Sequence, residues 1–134
     1  MKILIVDDSA FMRTILKNLV PQTKWGSAAV LEAANGDEAI TLCQTEKPDL
    51  VLLDIVMPGK DGIAVLQEIG FTAPSVVMVS SMGQDTVIEQ AKSLGAKDYI
   101  VKPFDAKLVI DSLNKLYPAS ATPETPPQPA APAN

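Results

Sequence analysis

The chain has 134 residues, 47% of them hydrophobic, so it is long enough for one domain with a packed core and too short for two. A net charge of −5 argues against binding nucleic acid through a basic surface, and no apolar run is long enough for a membrane span or a signal peptide. The sequence has no histidine, which excludes a phosphohistidine carrier, a Ser-His hydrolase and a His-ligated zinc enzyme. The only cysteine, Cys43, cannot form an internal disulfide, so we expect a cytoplasmic protein.

Residues 1–117 alternate between short apolar runs and segments of helical periodicity. The runs are rich in Val, Ile and Leu, which is typical of strands buried on both faces of a parallel sheet. They predict strands at residues 3–6, 29–31, 50–53, 76–79 and 99–101. Each run is followed by a segment whose apolar residues share one helical face. Five such repeats imply an α/β fold in which a parallel sheet carries helices on both faces.

Proline, glycine and acidic residues mark the predicted ends and turns of these elements. Pro21 closes the first predicted helix. The second must end by Lys47, because a proline follows, and Gly95 caps the end of the fourth. Asp105 is placed to cap the start of the fifth helix. Gly62 is expected in a turn, where a glycine tolerates positive φ.

Ionisable and hydroxyl side chains follow four of the five predicted strands. Asp7 and Asp8 follow the first strand, Asp54 the third, Ser80 the fourth and Lys102 the fifth. In open α/β sheets, ligands bind outside the carboxyl ends of the strands. Three carboxylates and one ammonium group at this edge are hard to explain as packing, so we predict the functional site there.

The predicted acidic cluster calls for a metal ion. Like charges a few ångströms apart in a partly buried site repel by several kcal/mol, so a fold tolerates them only around a cation. Ligands that are all oxygen favour Mg²⁺ over zinc or copper. We expect Asp8 and Asp54 to bind the metal directly, while Asp7 acts through a bound water or holds the geometry. The backbone carbonyl of Val56 is a further candidate ligand.

With the metal in place, Asp54 becomes a candidate nucleophile toward phosphorus, and the product would be an aspartyl phosphate. Lys102 would supply a second positive charge, and the hydroxyl of Ser80 would donate a hydrogen bond to a phosphoryl oxygen. Because the chain has no histidine, any phosphohistidine that donates the group must belong to a partner.

Four segments together resemble the receiver domains of two-component response regulators. They are Ile-Val-Asp-Asp-Ser at 5–9, Leu-Leu-Asp-Ile-Val-Met-Pro-Gly-Lys-Asp-Gly at 52–62, Val-Ser-Ser-Met at 79–82 and Tyr-Ile-Val-Lys-Pro-Phe at 99–104. The resemblance spans residues 1–117, and the lack of an output domain makes the chain similar to the CheY-like, chemotaxis-regulator type. It implies a flavodoxin-like, doubly wound sheet of five parallel strands in the order 2-1-3-4-5, with five helices.

The resemblance also implies roles for the residues at the strand ends. Asp54 becomes the phosphoacceptor, Asp7 and Asp8 the metal-site acids, and Ser80 and Lys102 the pair that contacts the phosphoryl group.

A switch and an output surface are implied in the same way. Tyr99 takes the position of an aromatic switch coupled to the Ser80 hydroxyl, and the Lys102–Pro103 bond is expected to be cis. The fourth helix, fifth strand and fifth helix would form the output face. The implied partners are a CheA-like sensor histidine kinase and an output target such as a flagellar switch protein, contacted by a monomer that binds neither nucleic acid nor membrane.

Two positions depart from the best-studied chemotaxis pattern. Val56 and Met82 are apolar where members of the family often carry polar groups that assist dephosphorylation. We therefore expect the phosphoryl group to last longer than in a fast chemotaxis regulator.

Alternatives to a stand-alone switch stay open. Residues 118–134 consist mainly of Pro, Ala, Thr and Ser and predict a disordered tail, which is an inert terminus, a linker or a docking segment. One alternative is that the chain is a receiver fragment or a phosphorelay receiver of a larger signalling system. A phosphatase with an aspartyl nucleophile is another alternative, but that class usually has an acid where Val56 stands. We expect a self-phosphorylating and self-dephosphorylating switch rather than a turnover enzyme.

Overall fold

The computed structural model describes residues 1–69 and 74–117, so the predicted tail at 118–134 lies outside the described residues. Within the described part, strands and helices alternate along the chain. The elements are β1 (Lys2–Val6), α1 (Ala10–Leu19), β2 (Ala29–Ala33), α2 (Gly36–Glu46), β3 (Leu50–Leu53), α3 (Gly62–Ile69), β4 (Ser75–Ser80), α4 (Asp85–Ser93), β5 (Ala96–Val101) and α5 (Ala106–Lys115).

The five strands form one parallel sheet in the order β2-β1-β3-β4-β5. This arrangement confirms the predicted fold class and its strand order. The chain first moves outward from β1 to β2 and then crosses back to β3 on the other side of β1. The switch point of the sheet therefore lies between β1 and β3, which is where a ligand site is expected.

Alternation of side chains along each strand divides the core into two layers. Leu4, Val51 and Met78 point into a cluster with α2, α3 and α4, whereas Ile5 and Leu52 point into a cluster with α1 and α5. Every residue of β3 is buried, as expected for a central strand covered on both faces. The two layers fix the register of the sheet and hence the positions of the strand ends.

Most predicted element ends are confirmed, and the differences have local causes. Lys47 ends α2 in the left-handed conformation, and Gly95 follows α4 with a φ of 113°. Helix α1 ends at Leu19, before Pro21, but the chain continues into a short 3-10 helix, Val20–Gln22. Pro21 is tolerated there because the first turn of a helix needs no backbone N–H from it. Asp105 occupies the N-cap position of α5, but its side chain makes no capping hydrogen bond.

The prediction of positive φ at Gly62 is wrong. Among the described glycines, those with positive φ are Gly59 and Gly95. Gly62 instead begins α3, where a Cβ atom would lie 2.1 Å from the carbonyl oxygen of Asp54. The glycine is needed here for close approach of two backbone segments, not for an unusual dihedral angle.

No helix in residues 1–69 or 74–117 combines the length and apolar character needed to cross a bilayer.

Candidate functional site

The sheet brings the predicted acids together at its carboxyl edge. Asp7 and Asp8 directly follow β1, and Asp54 directly follows the neighbouring strand β3. One carboxylate oxygen from each of the three residues lies within 4.8 Å of the others. Asp7 and Asp54 are buried, with 1% and 5% of their surface exposed, whereas Asp8 is exposed. The cluster thus has two buried walls and one side open to solvent.

Lys102, just after β5, supplies the positive charge of the cluster. Its Nζ atom lies 2.7 Å from Oδ2 of Asp7 and 3.2 Å from Oδ2 of Asp54. Burial alone lowers the pKa of Lys102, but the hydrogen bond to Asp7 and the charge of Asp54 outweigh it, so the pKa of Lys102 is raised. The ammonium group therefore stays charged, as predicted for a group that faces anions. The following Lys102–Pro103 peptide bond is cis, as predicted.

Burial dominates the electrostatics of Asp54. It raises the pKa of the Asp54 carboxyl group, and the attraction of Lys102 offsets only part of this effect, while Asp7 adds repulsion. The side chain is held by a hydrogen bond of 3.3 Å from the backbone N–H of Val56 to Oδ1. Its backbone N–H donates to the carbonyl oxygen of Val6 at 3.0 Å, which ties the end of β3 to β1.

The turn from β1 to α1 both holds the Asp7 side chain and caps helix α1. The N–H of Ser9 donates to Oδ1 of Asp7 at 2.9 Å, and the Ser9 hydroxyl accepts the N–H of Met12 at 3.2 Å as the N-cap of α1. Arg13, one turn into α1, donates from Nη1 to the carbonyl oxygen of Asp7 at 2.6 Å. Sequence reasoning missed Arg13, because its spacing from the acids carries no distinctive signal.

Ser80 and Tyr99 meet at the loop after β4, on residue Met82. The Ser80 hydroxyl is fully buried and accepts the N–H of Met82 at 3.2 Å. The Tyr99 hydroxyl donates to the carbonyl oxygen of Met82. Burial raises the pKa of Tyr99, and a hydrogen bond with Ser80 offsets only part of this increase. The two residues predicted to form a switch are therefore in contact, and both hold the same loop residue.

The donor set fits a hard divalent cation. Three carboxylates converge without a nitrogen or sulfur ligand among them, and one lysine neutralises only part of their charge. Oxygen ligands of this kind suit Mg²⁺. Asp8, Asp54 and Asp7 would hold the ion. The proposed ligation by the carbonyl of Val56 stays a prediction.

A buried acid, two further acids and a lysine lie together at the switch point of a 2-1-3-4-5 sheet. The family model of the response regulator receiver domain matches residues 3–114, and the chain belongs to this family. It is a receiver domain of a CheY-like response regulator in two-component signalling, with a chemotaxis role supported by the names of its relatives.

Three relatives illustrate the similarity. The chain is 47% identical to the chemotaxis protein CheY of Listeria monocytogenes over 117 residues, which cover 86% of this chain and 97% of that one. It is 45% identical to CheY of Bacillus subtilis over 116 residues, covering 85% and 95% of the two chains. A crystal structure of a CheX–CheY–BeF3–Mg²⁺ complex from Borrelia burgdorferi matches with a TM-score of 0.80 and 32% identity, covering 87% of this chain and 88% of that chain.

Proposed function

We propose that this protein is a switch that accepts a phosphoryl group on Asp54 from the phosphohistidine of a sensor kinase, in the presence of Mg²⁺. The observation that carries the proposal is the geometry of Asp54. Its carboxylate is buried, lies within 4.8 Å of those of Asp7 and Asp8, and contacts the ammonium group of Lys102 at 3.2 Å. A structural acid at the end of a strand would need none of these neighbours.

The proposed step transfers one phosphoryl group without a net redox change. A carboxylate oxygen of Asp54 forms a bond to phosphorus, the P–N bond of the donor phosphohistidine breaks, and the imidazole leaves with the electron pair. The product is a mixed anhydride, and its hydrolysis by water returns the Asp54 carboxylate and inorganic phosphate.

The residues of the chain prepare this step in different ways. Lys102 places a fixed positive charge beside the acceptor, where it offsets the repulsion between a carboxylate and an anionic phosphoryl group. The backbone N–H of Val56 fixes Oδ1 of Asp54 and so orients the carboxylate. When bound, Mg²⁺ supplies charge stabilisation for the phosphoryl oxygens. The complex of the related Borrelia burgdorferi CheY with BeF3 and Mg²⁺ supports this choice of metal.

The switch is proposed to run through Ser80 and Tyr99. The Ser80 hydroxyl accepts the N–H of Met82, and we propose that its own proton, which now hydrogen-bonds the Tyr99 oxygen, turns to a phosphoryl oxygen after phosphorylation. A shift of this hydroxyl would disturb the loop that Tyr99 also holds, and Tyr99 belongs to β5 in the middle of the α4-β5-α5 face. We propose this face as the output surface.

The proposed partners are a CheA-like histidine kinase and, for output, a flagellar switch protein. CheY names among the relatives support chemotaxis, and the Borrelia CheY in complex with CheX shows that one such relative binds a partner protein. We propose that the protein acts as a cytoplasmic monomer. A phosphorelay receiver or a receiver fragment uses the same site, so mapping its kinase is the test that separates these roles.

A turnover phosphatase is the less favoured function. The position two residues after Asp54 belongs to Val56, whose apolar side chain is 56% exposed and has no proton to give a leaving group. We therefore propose one stoichiometric labelling of the chain rather than sustained turnover.

The test is to incubate the protein and Mg²⁺ with a histidine kinase that carries a radioactive phosphoryl group, or with a radioactive small acyl phosphate, and to measure the label on the protein. We expect one label per chain, sensitive to hydroxylamine and absent from Asp54→Asn. The matched control is Asp111→Asn, which removes an exposed acid paired with Lys107 far along α5 and should label normally. Label retained in Asp54→Asn, or continued hydrolysis of a chromogenic phosphate ester, would overturn the proposal.

A further inference from the structure

We infer that Arg13 is a positioning residue of the metal site: held by Glu32 on β2, it fixes the peptide that joins Asp7 to Asp8 and so sets the place of the Asp8 carboxylate. This inference rests on the proposed function of the acidic cluster. It assigns to α1 and β2 a part in metal binding, although neither element contributes a ligand.

The contacts form a continuous brace. Nη1 of Arg13 donates to the carbonyl oxygen of Asp7 at 2.6 Å, while Nε of the same guanidinium donates to Oε1 of Glu32 at 3.0 Å. The other Glu32 oxygen accepts from Lys17 at 2.8 Å. These two cations lower the pKa of Glu32, with the hydrogen bond from Lys17 the larger cause. Glu32 therefore stays charged as the anchor of the guanidinium.

The contacts of Arg13 matter because Asp8 is exposed, so the backbone more than packing places its side chain. Asp7 is buried and fixed at its side chain by Ser9 and Lys102 and at its N–H by the carbonyl of Ala33. Asp8 is exposed. The direction of its side chain is thus set by the backbone, and the carbonyl of the Asp7–Asp8 peptide is the group that Arg13 holds.

Charge and position make opposite predictions for removal of Arg13. A guanidinium near three carboxylates repels a divalent cation, so loss of its charge alone would strengthen Mg²⁺ binding. Loss of a positioning contact would weaken it, because groups that orient metal ligands typically contribute about 10- to 100-fold in affinity. The sign of the change therefore separates the two roles.

The test is calorimetric titration of Mg²⁺ into the full chain. We expect Arg13→Met to raise the Mg²⁺ dissociation constant by about tenfold. The matched control is Lys17→Gln, which removes an equal charge from Glu32 but leaves the contact with Asp7, and it should change the constant less than about twofold. An Arg13→Met constant equal to or below that of the wild type would overturn the inference.

Arg13→Lys and its rate of phosphoryl labelling provide a second test of the inference. Arg13→Lys retains the charge but lacks the planar fork that spans Asp7 and Glu32, so we expect it to bind Mg²⁺ more weakly than the wild type; an unchanged constant overturns the inference even if Arg13→Met does not fold. At saturating Mg²⁺ the labelling rate of Arg13→Lys should return to that of the wild type. Absence of Mg²⁺ binding in the wild type would instead refute the proposed function itself.

Discussion

The ammonium nitrogen of Lys102 lies 3.2 Å from Oδ2 of Asp54, although 48 residues separate them in the chain. Strand β4 stands between β3 and β5, so the lysine side chain passes the end of β4, whose last residue is the small Ser80. The same ammonium group reaches Asp7 on the far side of Asp54, at 2.7 Å. Lys102 thus links the ends of β1, β3 and β5 and is the cation around which the metal-free site is organised.

Removal of this cation should destabilise the metal-free protein. Lys102→Met leaves the buried carboxylates of Asp7 and Asp54 without their ion-pair partner, and breaking a buried pair costs about 3–5 kcal/mol. We expect about 2–3 kcal/mol from urea unfolding in a chelator, because the lysine side chain is 17% exposed. Lys107→Met, which breaks an exposed pair with Asp111, should cost less than about 0.5 kcal/mol. Equal losses in the two variants would contradict the central place of Lys102.

Asp54→Asn should stabilise the metal-free protein near neutral pH. Burial raises the pKa of Asp54 in the folded state, so between the ordinary value of 3.8 and the raised value the folded state binds more protons than the unfolded state. The wild type therefore loses stability as pH rises through that window, and the asparagine variant does not. We expect a higher melting temperature for the variant at pH 7 in a chelator. The difference should vanish below about pH 3, where the carboxyl group is neutral in both states. A variant less stable than the wild type at pH 7 would refute this account.

Mg²⁺ should stabilise the protein through the acidic cluster. A ligand that binds only the folded state adds about 2.7 kcal/mol at 100 times its dissociation constant, which corresponds to a rise of about 10 °C in melting temperature for a domain of this size. Asp8→Asn should lose most of this rise while it keeps the fold, because Asp8 is exposed. Scanning calorimetry with Mg²⁺ and with a chelator measures both effects. An equal rise in Asp8→Asn would place the ion elsewhere.

Gly62→Ala should damage the site through its backbone. The added Cβ atom would lie 2.1 Å from the carbonyl oxygen of Asp54 and 2.7 Å from Cα of Ile55, so one of these backbones must shift. We expect a loss of about 2–3 kcal/mol in urea unfolding, together with slower labelling of Asp54. Gly59→Ala is the control: it has open space but a φ of 74°, so it should cost about 1–2 kcal/mol and leave labelling unchanged. Normal labelling in Gly62→Ala would show that the close approach does not position Asp54.

Val56→Asn should shorten the lifetime of the phosphorylated protein. The Val56 side chain is exposed beside the acceptor, and a polar group there can assist the attacking water, which valine cannot. We expect the label to decay several-fold faster once the donor is removed. Leu108→Asn makes the same kind of change at an exposed position in α5 and should leave the decay unchanged. A wild-type half-life of a few seconds would contradict the predicted slow hydrolysis.

Some features of the fold could not be predicted because they arise from contacts between distant segments. Trp25 is an example from the core: its indole is buried, and Nε1 donates to the carbonyl oxygen of Leu113, 88 positions along the chain, at 2.8 Å. Strands β2 and β5 are longer than predicted, since they include Glu32 and Asp98, whose charges interrupt the apolar pattern. Each of these charges is paired in the structure, Glu32 with Arg13 and Asp98 with Ser112.

Local residue patterns were enough to predict the alternation of strands and helices, because apolar periodicity and helix-ending residues act over a few neighbouring positions. They also predicted which residues stand at the carboxyl ends of the strands, namely Asp7, Asp8, Asp54, Ser80 and Lys102. The folded chain was needed to see that Lys102 bridges two acids, that Gly62 is required by the backbone of Asp54, and that Arg13 and Glu32 hold the acidic turn. These contacts depend on strand order and helix packing, which local residue patterns do not encode.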